Sequence, residues 1–133
     1  MDLGKQVDAL RETFSGFDGV RFAVLYGSAA ESEQYRDLDV AVLLDRKLAP
    51  AALDLAYGTE LELALFRAVD FPVDLRIVND ARLPFRYAVS RGRPLLLNDP
   101  ESWYLFRERT WDEWFDFEPI ARRHLEYIAW QPE

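Results

Sequence analysis

The chain has no cysteine and a single histidine, and its positive charge is in deficit. Without cysteine there are no disulfides, thiolate metal sites or thiol nucleophiles, and the compartment is left open. His124 lies among charged residues near the C-terminus and reads as a surface side chain. No apolar run approaches the roughly 20 residues that cross a bilayer. The opening "MDLGKQVDAL" carries acids and lacks a continuous apolar stretch, so no export signal is read there. The expectation is a soluble, cytoplasmic protein with no membrane partner. Lysine and arginine number 16 against 24 acids, a formal charge of −8. Such a surface repels a phosphate backbone, so direct nucleic-acid binding is not expected. The acidity serves solubility, or suits a basic protein partner. Half of the chain is apolar and 14% is aromatic, enough to build a core without staples. Internal repeats and low-complexity linkers are absent, and 133 residues fit one domain over 1–133.

Leu3, Val7, Leu10, Phe14 and Phe17 recur at helical spacing, which predicts an amphipathic helix over 2–15. "FDG" then turns the chain into "VRFAVLY", a β-branched and aromatic strand. Gly27-Ser28 ends that strand, and "SAAESEQ" reads as a short helix with Ser28 as its N-cap. "DLDVAVLLD" is nearly continuous in apolar residues after a polar start, as in a central strand covered on both faces. Pro50 opens a helical segment to about Val69, interrupted by Gly58. "FPVDLRIVN" alternates, with Val73, Leu75 and Ile77 on one side and Asp74 and Arg76 on the other. "PFRYAVSRG" reads as a helix stopped by Gly92, and "RPLLLN" as a strand. From about 100 to 133 the chain reads as helix, broken or kinked near Pro119. The fold class is α/β (α+β), a small mixed sheet flanked by helices.

The informative stretch is "LYGSAAESEQYRDLDVAVLL". A glycine at the end of a strand permits positive φ and close approach of a ligand to the backbone. Helical amides following it favour an anion, and Ser28 adds a hydroxyl. A triphosphate fits such a turn. Asp37 and Asp39 are two apart at the head of a strand, on one face and roughly 7 Å apart along the chain. Two carboxylates so placed repel each other unless a cation lies between them, and Mg2+ favours carboxylate and phosphate oxygens. Asp74 repeats the geometry on a later strand, and three acids on neighbouring strand ends suit a two-metal site.

Glycine-serine, a short helix, Asp-x-Asp at a strand start and a lone Asp on a later strand together resemble the polymerase-β-like nucleotidyltransferases. The nearest likeness is to their minimal, or MNT, group. The resemblance implies that Gly27 and Ser28 cradle the triphosphate of ATP and that Asp37, Asp39 and Asp74 are the catalytic, Mg2+-binding acids. It also implies that Asp74 assists the attacking hydroxyl. The tail "WFDFEPIARRHLEY" is similar to the C-terminal segment of MNT-type antitoxins that pair with HEPN toxins. The activity so implied is transfer of AMP from ATP to a tyrosine of a HEPN ribonuclease toxin. The chain departs from the family pattern in two places. Eight residues separate Ser28 from Asp37 where about ten are common, and Arg36 stands where serine is frequent.

Arg36 either contacts phosphate or weakens the metal site. Arg76, on the face of Asp74, is a neutralising ion pair or a phosphate contact. The tryptophans all fall late, at Trp103, Trp111, Trp114 and Trp130. They serve the core or, for Trp103, Trp111 and Trp114, a protein partner. An alternative to transfer is an antitoxin that neutralises its toxin by contact alone. A small-molecule transferase of the aminoglycoside type is less favoured, since such enzymes usually carry a further substrate domain.

Overall fold

A computed structural model of the protein describes residues 2–129. Helix α1 (Leu3–Phe14) begins where the Asp2 carboxylate accepts a hydrogen bond from the Lys5 amide at 2.8 Å. That cap satisfies a donor the helix cannot pair itself. One face of α1 buries Gln6, Val7, Leu10 and Phe14. There follow β1 (Val20–Tyr26), the single turn α2 (Ser28–Glu31) and β2 (Leu38–Leu44). A 3-10 turn (Ala51–Leu53) leads into α3 (Asp54–Val69), then β3 (Val73–Ile77), α4 (Leu83–Ser90), β4 (Arg93–Leu97) and α5 (Pro100–Ala129).

The four strands form one mixed sheet in the order β3-β2-β1-β4. β1 is antiparallel to both β2 and β4, whereas β2 and β3 run parallel. The sheet separates two cores. On one side Val7, Leu10 and Phe14 of α1 and Leu61 and Leu65 of α3 meet Leu38, Val40, Val42 and Leu44 of β2. On the other, Trp103 of α5 and Val89 of α4 meet Phe22, Val24 and Tyr26 of β1 and Ala41 of β2. Each fully buried Leu, Val or Phe here contributes roughly 1.5–3 kcal/mol by leaving water. A shift in pairing between Val20 and Phe22 explains why Val20 joins the first core and Phe22 the second. The central position read for β2 agrees with its burial on both faces. β3 lies at an edge, where Glu62 of α3 accepts from the Leu75 amide at 3.1 Å and so occupies part of the open ladder.

Three local expectations are corrected. Ser28 is not the N-cap of α2: Gly27 holds that position, without a side-chain cap. The helix is also shorter than "SAAESEQ", because Ser32 is extended and its hydroxyl accepts from the Gln34 amide, which ends the turn. α5 is not broken at Pro119. Proline there sacrifices one helical hydrogen bond on an exposed stretch, and the flanking turns continue. Trp130 lies outside the described residues. Among those residues no helix is long and apolar enough to cross a membrane.

Candidate active site

Gly27 leaves β1 with φ 73 and ψ −153, a conformation open essentially to glycine. A Cβ at this position would lie 2.5 Å from Oδ2 of Asp39. The missing side chain therefore lets a carboxylate rest against the backbone of the turn. α2 is only one turn long, so its macrodipole is small, and any anion held here depends on local N–H groups and the Ser28 hydroxyl.

Strand register then aligns three side chains in one row. Tyr26 is opposite Asp39 across β1 and β2, and Asp39 is opposite Asp74 across β2 and β3. All three point to the α4–α5 side of the sheet, the parity of Ala41 and Val78. Asp37 immediately precedes β2, two residues before Asp39. The Asp39 carboxyl is pushed up from its ordinary value by burial, then by Asp37 and Asp74, with Arg76 acting the other way. Burial, followed by Asp39, pushes the Tyr26 hydroxyl up to about 12, with Arg76 opposing and Asp74 and Asp37 adding to the rise. Arg76 places Nε 3.6 Å from Oδ2 of Asp74, and its guanidinium lies 5.6 Å from the centre of the Phe85 ring. The ion pair and the cation–π contact both hold it beside the row.

Among the described residues, no three acidic, histidine or cysteine side chains converge closely enough to hold a metal ion alone. The donor chemistry nevertheless suits Mg2+, which commonly takes one or two carboxylates and completes its shell with phosphate oxygens and water. The crowded, upshifted Asp39 is the carboxylate that a cation would relieve most. These residues fit Mg2+ brought in with a polyphosphate better than a resident metal cage.

An open cleft of about 800 Å³ adjoins the row and is lined by Ser28, Arg36, Asp37, Tyr35, Gln6 and Phe71, among others. Asp39, Asp74 and Arg76 are not in its walls. Arg36 and Arg76 thus border different parts of the site. Gln6, almost fully buried, accepts from the Tyr35 hydroxyl at 2.6 Å, and the Tyr35 and Phe71 rings meet edge to face. The motif reading missed Tyr26, Gln6, Tyr35 and Phe85. The available signals were the parity of Tyr26 at a strand end and a glutamine on an otherwise apolar helix stripe.

The partner role read for Trp103 is corrected. It is 3% exposed and packs against Phe22 and Phe106, so it offers no surface to another protein. Trp111 donates from Nε1 to the Ser90 hydroxyl at 2.9 Å, and Arg107 lies 4.3 Å from its ring centre. Trp114 stacks on Tyr87 with centroids 4.1 Å apart. Trp111 and Trp114, both partly buried, join α5 to α4. The aromatics that α5 leaves exposed are Tyr104, Phe115, Phe117 and Tyr127, and His124 is exposed beside them.

With this geometry in place, a family model described as Polymerase beta, Nucleotidyltransferase matches residues 8–101. No curated protein matches the chain. Among solved structures, the chain is similar to one of a toxin–antitoxin with AMP-PNP, with TM-score 0.73 and 22% identity over 93% of this chain and 98% of that one. It is similar to a chain of the toxin–antitoxin MntA–HepT, with TM-score 0.69 and 20% identity over 94% of this chain and 97% of that one. A third likeness is to a structure of tri-AMPylated Shewanella oneidensis HEPN toxin in complex with MNT antitoxin. There the TM-score is 0.65 and the identity 23%, over 96% of this chain and 95% of that one. At these identities the likeness is one of fold.

Proposed function

The chain belongs to the polymerase-β nucleotidyltransferase family, and from that premise we propose that it transfers AMP from ATP, with Mg2+, to a tyrosine hydroxyl of a HEPN-type toxin and so acts as its antitoxin. The observation that carries this reading is the row of Asp39 and Asp74 set against the Gly27 turn. The fold likeness to toxin–antitoxin chains, one with AMP-PNP and one beside an AMPylated toxin, supports the choice of nucleotide and acceptor.

In this mechanism Gly27 and Ser28 hold the β- and γ-phosphates. Asp37 and Asp39, with Asp74 on the neighbouring strand, would hold Mg2+ brought in with the nucleotide, which would supply charge neutralisation at the phosphates. Asp74 also orients the incoming hydroxyl and accepts its proton. The hydroxyl oxygen forms a bond to the α-phosphorus, the bond to the β-phosphate oxygen breaks, and pyrophosphate departs. Arg36 reaches phosphate from the cleft, and Arg76 does so by exchanging its loose 3.6 Å pairing with Asp74 for a phosphate oxygen. Tyr26, protonated at every physiological pH, acts as a hydrogen-bond donor beside Asp39 and not as a base. Mixing a cognate toxin with protein, ATP and Mg2+ and measuring its intact mass tests the proposal. One or more added AMP units are expected, accumulating far more slowly with Asp39→Asn; an unmodified toxin under turnover conditions contradicts transfer.

A second reading is favoured by one observation. Beyond Trp114, α5 carries Phe115, Ile120, Leu125 and Tyr127 largely exposed, more apolar surface than a free helix end retains without a use. On that reading the protein silences its toxin by contact alone. The same mass measurement then returns a stable complex of unmodified toxin.

A further inference from the structure

A second cleft, of about 560 Å³, lies on the α4–α5 side of the sheet but at its other end. Arg21 of β1, Arg86 of α4, and Ser102, Arg109 and Thr110 of α5 are in its walls. Arg21 is five residues before Tyr26, roughly 17 Å along an extended strand, so this cleft is separate from the acid row.

Three arginines in one cleft are unexpected in a chain of net charge −8. Their bonding states differ. Arg86 is committed: Nε donates to the Ala81 carbonyl at 3.1 Å, and Nη2 pairs with Glu113. Arg21 is held only loosely, 3.6 Å from Asp45 and 3.6 Å from Asp99, beyond hydrogen-bond reach of either. Arg109 has no partner among the described residues, although it is surrounded by groups that do. Of the two carboxylates in the walls, Glu113 is engaged by Arg86, and Asp80 lies 3.6 Å from Arg46, no closer than Arg21 lies to its own aspartates. Beneath the cleft the Thr110 hydroxyl is fully buried and makes no hydrogen bond. A buried hydroxyl without a partner costs about 1–3 kcal/mol, and such groups are rare in a folded interior.

We propose that this cleft binds a small phosphate-bearing anion, with Arg109 and Arg21 as its two gripping residues. A guanidinium presents five N–H donors in a planar fork that matches phosphate oxygens. Arg109 makes no hydrogen bond or ion pair among the described residues, and Arg21 has only its two 3.6 Å ion-pair contacts to exchange for a phosphate oxygen. Arg86, fixed by Ala81 and Glu113, forms the rigid side of the cleft. A phosphate on a nucleic acid is disfavoured by the overall charge, which leaves free phosphate, pyrophosphate or a phosphomonoester.

Amide chemical-shift titration of labelled protein with inorganic phosphate in one arm and AMP in another tests the site. Saturable shifts are expected at Arg21, Ser102, Arg109 and Thr110, separable from any at Gly27 and Ser28. Whichever arm binds more tightly supports the site and identifies the source of the phosphate. Arg109→Gln should weaken binding about tenfold and Arg109→Lys less, since it keeps the charge and loses the fork. Neither variant should alter thermal stability or AMP transfer, because Arg109 supports no other group. Saturable binding indifferent to Arg109→Gln, or shifts confined to Gly27 and Ser28, would overturn the proposal, as would an absence of saturable shifts in both arms.

Discussion

Where β1 begins and β2 ends, aspartates meet arginines; where β1 ends and β2 begins, they meet one another. At the first end Arg21 lies between Asp45 and Asp99, and Arg46 takes both oxygens of Asp54 and approaches Asp80. At the second, Asp74 has a contact of the same 3.6 Å with Arg76, but Asp39 has no ion pair among the described residues. At the first end each of these acids has an arginine within 3.6 Å, although only Asp54 is held at hydrogen-bond distance. At the second, burial first, and then repulsion from Asp37 and Asp74, raises the Asp39 carboxyl. On the proposed function, a cation carried in with the nucleotide would offset the charge left at this end.

Exchanging one carboxylate at each end separates the two most sharply. Asp39→Asn is expected to lower AMP transfer by about 100-fold or more, the scale seen when a group stabilising transition-state charge is removed. The same change should raise the melting temperature. Because the folded state raises the Asp39 pKa, the ionised carboxylate opposes folding at neutral pH, and protonation on acidification relieves it. Asn removes that opposition, so activity and stability move in opposite directions. Gly27→Ala should reduce both. Its Cβ would meet Oδ2 of Asp39 at 2.5 Å, and its backbone would hold a glycine-only conformation, costing about 1–3 kcal/mol. A denaturant titration and the transfer assay check the pair of effects.

At the first end the expected pattern is different. Asp54→Asn should lower stability by at most about 1 kcal/mol, given that both partners are partly exposed, and leave transfer unchanged. A loss of transfer on the scale of Asp39→Asn would erase the distinction between the ends. A further effect, confined to stability, is expected at alkaline pH. Tyr26 is raised in the fold from near 10 to about 12, so its stabilising contribution is complete below pH 10 and is lost as the pH rises through 12. The urea midpoint of wild type should therefore fall more steeply across that window than the midpoint of Tyr26→Phe.

The strands and long helices were legible because their apolar patterns are strong: Val20–Tyr26 is rich in β-branched and aromatic residues, and Arg93–Leu97 ends in three leucines. That Asp39 lies on the face of Asp74 follows from strand parity, which the sequence carries. Contacts that depend on register were not legible. Nothing local to Tyr26 says that it lies opposite Asp39, and nothing local to Arg76 says that Phe85, on another element, lies beneath it. The tryptophans show the same limit. Spacing placed them on a helix but did not say which side meets α4, so core and partner contact stayed open for Trp103, which fills the core. Pro119 shows a local penalty overridden by helical turns on both sides.

The cation dependence of nucleotide binding tests the central claim most directly. Titration calorimetry of wild type with AMP-PNP, in Mg2+ and again in chelator, should show at least tenfold tighter binding with the metal, while Asp39→Asn should bind equally in both. Equal affinity for wild type in the two buffers would mean that the crowded acids do not hold Mg2+ with the nucleotide, and would contradict the account.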